Sequence, residues 1–163
     1  MDYKPLDSVP YYKDCGVLVG ALGYVLVQLN VVPQNGTIKV TAVISRPVSE
    51  VNSSIGIEDC AKVHRVLLPR LEAVLNSQDI YMEVTSPGME RNIKNAAEFA
   101  LFEGRFVRVW DQEVSDWVPG RVTSSDSESV TLEVVHGEDV ESAVAEQKRI
   151  PYVRISKAKL LQM

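Results

Sequence analysis

Residues 81–91, Tyr-Met-Glu-Val-Thr-Ser-Pro-Gly-Met-Glu-Arg, decide how the rest of the chain divides. Tyr81 to Thr85 alternates and predicts the end of a strand. In Ser86-Pro87-Gly88, proline sets φ at one central position and glycine accepts positive φ at the next, as a type II turn demands. The acid–base pair Glu90-Arg91 follows at once. Nothing here resembles a nucleophile beside a base or a set of metal ligands. The stretch reads as a rigid corner between two folded units.

Upstream, imperfect helical spacing over residues 8–22 predicts a first helix, ended by Gly23, where a left-handed backbone is cheap only for glycine. Residues 24–32 are β-branched and apolar and predict a strand. Asn35-Gly36 supplies a hairpin turn, and residues 37–45 return as the second strand. Residues 46–55 form a polar loop. Glu58 and Asp59 suit a helix's first turn. Cys60, Val63, Leu67, Leu71, Val74 and Leu75 then mark one buried face, with a bend expected at Pro69. Residues 79–85 are a third strand. Residues 1–90 are therefore expected to form an α+β domain, a sandwich-like αββαβ arrangement.

Downstream the period changes. Residues 96–102 predict one or two helical turns ending at Gly104. Five short alternating segments follow, at residues 105–110, 117–123, 129–135, 148–153 and 157–161. Polar turns at 111–116, 124–128 and 136–147 separate them. This spacing predicts a small antiparallel β-barrel over residues 91–163, since closure removes exposed edges, with Gly120 at a sharp bend. Phe106 is expected inward and Arg105 outward.

The 163 residues carry a formal charge of −5. Acids outnumber bases on both sides of residue 90, so no basic tail exists and a basic protein partner suits the chain better than naked nucleic acid. Cys15 and Cys60 read as buried free thiols, with a disulfide the lesser alternative. His64 reads as a packed residue and His136 as a solvated turn residue. No metal site, cofactor or catalytic constellation is expected. The opening residues show no signal peptide, and no apolar run is long enough to span a bilayer. Gly20-Ala21-Leu22-Gly23 spells the G-x-x-G of a nucleic-acid clamp, but without flanking cations it reads as a helix end.

Two candidate surfaces remain. At the corner, Arg91 is either an interdomain brace, donating a bidentate bond to Glu83 or Glu90, or half of a solvated pair; a contact with RNA is the weakest of the three readings. On the later strands lie Arg105, Arg108 and Arg121, then Arg149, Arg154, Lys157 and Lys159, with Trp110 and Trp117 flanking the first turn. Convergence of these cations on one face would make a basic patch in an acidic molecule; solvated rim charges are the default.

The run from Met82 to Arg91 resembles the Leu-Glu-Val-Ser-Ser-Pro-Gly-Leu-Asp-Arg-like corner of the RimP-type ribosome maturation factors, with Thr85, Met89 and Glu90 as conservative departures. Gly23-Tyr24, Ile57-Glu58-Asp59-Cys60, Ile150-Pro151-Tyr152 and the segment from Ile155 to Leu160 are similar to further parts of that family. The resemblance implies that the C-terminal barrel is Sm-like. It also implies a cytoplasmic, non-catalytic partner of the immature small (30S) ribosomal subunit that assists late assembly through ribosomal protein S12, with 16S ribosomal RNA a further contact. A monomer is expected. The candidate interdomain or partner-binding residues are Glu83, Ser86, Pro87, Gly88, Glu90, Arg91, Arg105, Arg108 and Arg121. The alternative is an oligomeric Sm-like module that captures single-stranded RNA, which sizing would separate from a monomer.

Overall fold

The structure is a computed structural model that describes residues 1–47, 55–87, 90–136 and 144–161. Most of the 46–55 loop, Gly88 and part of the 136–147 turn lie outside these residues. The chain forms two compact units: Leu6–Pro87, and Gly88–Met163 together with Met1–Pro5.

In the first unit, α1 (Tyr12–Ala21) leads into β1 (Val25–Gln34), β2 (Thr37–Ser45), α2 (Ile57–Leu75) and β3 (Ile80–Thr85). Helix α1 stops at Gly23, whose φ is +90°. Gly23 N donates to Gly20 O and Tyr24 N to Val19 O, the paired bonds of a Schellman end. The G-x-x-G is thus a helix terminus. Asn35 and Gly36 both take positive φ between the antiparallel strands β1 and β2.

Helix α2 carries the chain across so that β3 lies parallel to β2, in the order β1-β2-β3. Its buried residues Val63, Leu67 and Leu71 pack with Cys15, Val19, Leu29, Val40 and Ile44. Val74, expected on that face, is 40% exposed. Pro69 points outward and the helix runs through it.

The second unit is a six-stranded sheet in the order β4-β9-β5-β6-β7-β8. Its strands are β4 (Glu90–Ile93), β5 (Phe106–Asp111), β6 (Asp116–Ser125), β7 (Ser129–His136), β8 (Val144–Pro151) and β9 (Ile155–Leu161). All pairings are antiparallel, and among the described residues no ladder joins β8 to β4. The α+β class holds; among the described residues the sheet is not closed by hydrogen bonds. A 3₁₀ segment, Ala96–Phe102, places Phe99 and Phe102 in this unit's core beside Val107, Leu132, Ile150 and Leu160.

Gly120 keeps its place in the β5–β6 register without a shift. A Cβ there would stand 2.9 Å from the Glu133 carbonyl oxygen, so glycine admits the close approach of β7; the irregularity in β6 comes later, between Val122 and Ser124. Residues 1–5, placed in the first domain by sequence, fold with the second unit. Asn95 donates to Lys4 O and accepts from Lys4 N, and Tyr3, Tyr152 and Phe99 stack in succession.

Candidate functional site

The alternation of β5 sorts the second unit's candidate residues. Val107 and Val109 are fully buried, so Phe106, Arg108 and Trp110 share the opposite face. Phe106 is 37% exposed while Arg105 is 9% exposed, the reverse of the sequence expectation. Arg105 precedes β5, where its backbone bonds Phe102 O and Val122 N, and its guanidinium lies over the Phe102 ring. Burial lowers its pKa from the usual arginine value. Of the three arginines proposed here, Arg105 packs and Arg108 and Arg121 lie on the sheet's outward face.

That outward face interleaves cations with rings. Arg108 lies 4.5 Å from the Trp117 ring centroid, and Arg121 5.4 Å from that of Phe106. Lys157 on β9 stands 5.2 Å from both Trp110 and Trp117, which meet edge to face at 5.6 Å. The register explains this: Trp110 pairs with Trp117 on one side and Lys157 on the other, and Arg108 pairs with Lys159. Such ring contacts orient Arg121 and Lys157 without neutralising them.

The remaining cations go elsewhere. Arg154 donates to both oxygens of fully buried Asp111, at 3.2 and 2.6 Å, and pairs with Glu113. The Arg154 bond, ahead of any other cause, holds the Asp111 carboxyl below the usual range. Arg149 binds Ser129 and Asp126 at the turn before β7. The convergence anticipated from sequence therefore gathers Arg108, Arg121, Lys157 and Lys159 and leaves out Arg105, Arg149 and Arg154.

At the corner, Pro87 is buried while Ser86 and Glu83 are exposed; Gly88 and the Glu90 side chain lie outside the described features. Arg91 donates from Nε and Nη2 to Glu98 Oε1, at 3.0 and 2.8 Å. Lys94 N and Asn95 N donate to the other oxygen. Glu98 is 3% exposed. Arg91 thus meets a carboxylate outside the expected Glu83 and Glu90, presented by the 3₁₀ segment. This pair ties β4 to its own unit.

A third node was missed in the first unit. The Tyr24 hydroxyl donates to Asp59 Oδ1, Arg46 donates to both Asp59 oxygens, and Gly56 N donates to Oδ2 at 2.8 Å. The Tyr24 bond and then the Gly56 bond hold Asp59 below the usual carboxylate range. The Gly23-Tyr24 and Glu58-Asp59 motifs thus meet in a capped helix start. Cys15 and Cys60 are free thiols, and burial pushes Cys15 up to about 11. His64 is half-buried beside Cys60 and Val84. Among the described residues no group of three or more His, Cys, Asp or Glu could hold a metal, and no helix is long and apolar enough to cross a membrane.

Residues 15–90 match the family model of the RimP N-terminal domain. A ribosome maturation factor RimP from Borrelia hermsii (strain HS1 / DAH) is 26% identical over 106 residues, 65% of this chain and 70% of that protein. These matches support the RimP family. The RimP N-terminal match spans the Schellman end, the Tyr24–Asp59 node, and the strand that leads into the corner.

Proposed function

We propose that this chain is a cytoplasmic ribosome maturation factor that binds the immature 30S subunit and assists its late assembly without catalysis. The match of residues 15–90 to the RimP N-terminal domain carries this reading, and the similarity to a ribosome maturation factor supports it. Ribosomal protein S12 is the proposed protein partner and 16S ribosomal RNA an accompanying contact, with the factor acting as a monomer. A net charge of −5 suits docking to a strongly basic ribosomal protein. The Sm-like barrel expected for residues 91–163 belongs to the same reading. Register shifts at Trp110/Asp111 and Val122/Ser124 support it, since such irregularities favour strand bending.

Titration with purified S12 tests the partner. Affinity should fall as salt rises from low to physiological; salt-independent binding would contradict the electrostatic account. A second reading, the oligomeric Sm-like module for single-stranded RNA, is favoured by the ring-and-cation face. Sizing separates them: a ring elutes as an oligomer, the maturation factor as a monomer.

A further inference from the structure

We propose that the outward face of β5, β6 and β9 holds a short stretch of single-stranded RNA, with bases stacked on its rings and phosphates on its cations. This deepens the ribosomal reading and rests on it only for the source of the RNA.

Phe106, Trp110 and Trp117 provide three rings on one face, and Arg108, Arg121 and Lys157 each lie 4.5–5.4 Å from one or more of them. Bases stack on aromatic rings and on guanidinium planes, whatever their sequence, while neighbouring cations track the phosphates. Along residues 106–110, 117–121 and 157–159, none of the outward positions carries a carboxylate, in a chain whose acids outnumber its bases. Charge on these three strands is therefore opposite to that of the molecule, with Glu133 of β7, the cross-strand partner of Arg121, at their border.

Size fits the ligand as well. Four residues along β5 span about 13 Å and three strands about 10 Å, room for two or three bases. An acidic peptide would use the cations but has no need of three rings. A duplex would hide its bases and bring further phosphates toward the acidic remainder of the chain.

The test is fluorescence anisotropy of the full chain with a labelled, unstructured single-stranded RNA of about ten nucleotides, spanning a few turns of such a platform. We expect Arg121→Gln with Lys157→Gln to weaken binding about tenfold and to lower the salt slope by about 1.4, at about 0.7 per phosphate. Phe106→Leu should cost at least about fivefold, the lower end for one stacked base. Circular dichroism melting establishes that both variants fold, and Arg70→Gln, in the first unit, should bind as wild type. Undiminished binding in both variants overturns the proposal. So does equal affinity for a duplex of the same length, or a poly-glutamate competitor that shows the same losses. If the wild-type chain sediments with small subunits yet ignores free RNA, this inference falls and the maturation-factor reading stands.

Discussion

Arg154 and Lys157 are three residues apart in the chain and serve opposite ends. Arg154 is clamped by Asp111 and Glu113, one of them fully buried, and it closes the turn between β5 and β6 onto the start of β9. Lys157 stands over two indole rings on an exposed face. The same contrast separates Arg91, paired with Glu98, from Arg121, laid over Phe106. A carboxylate partner spends a cation's charge inside the fold, whereas a ring leaves the charge for a ligand. The difference divides these cations of the second unit into a structural set, held by carboxylates, and a set laid over rings.

The sharpest break of that division is at Arg91. Arg91→Ala leaves the Glu98 carboxylate buried and deprived of this partner, so urea unfolding should show a loss of about 3–5 kcal/mol. A loss under about 1 kcal/mol would move Arg91 out of the structural set. Next in size, Gly120→Ala drives a methyl into the Glu133 carbonyl and Leu132, where backbone must give way. It should cost about 1–3 kcal/mol by the same measurement.

Asp111 comes third and is read through pH. Its folded-state pKa lies below the ordinary 3.8, so its ionised form contributes stability that is present above 3.8 and lost as pH falls through the lower folded value. Melting temperature followed from pH 6 downward should therefore drop more steeply for the wild type than for Asp111→Asn, which is less stable at neutral pH. Parallel curves would contradict the Arg154 clamp. The smallest effect on stability belongs to Arg121→Gln with Lys157→Gln. Exposed cations on rings hold little of the fold together, so the thermal midpoint should stay at the wild-type value while binding falls.

Local chemistry made much of this fold legible. Asn35-Gly36 and Gly23 announce themselves because few residues accept a positive φ, and the expected bounds of β2 coincide with the observed Thr37–Ser45. The failures lie where one residue of register or a distant partner decides. Phe106 and Arg105 exchanged faces because the inward set of β5 starts at Val107, and a period of two offers no clue to its own phase. Strand β4 has four residues beside the corner, too few to show alternation. Glu98 reaches Arg91 only because the 3₁₀ segment turns back toward β4. Lys4 meets Asn95 across 91 positions, a distance no local pattern spans. The site was legible in composition, as cations near tryptophans, but not in its membership; the pairings of Trp110 and Arg108 with β9 decide that.

Sedimentation of the purified chain with isolated small subunits, large subunits and complete ribosomes tests the central claim most directly. The account predicts co-sedimentation with small subunits, strongest for immature ones, and little with large subunits or complete ribosomes. Equal recovery in all three, or none with small subunits, would contradict it.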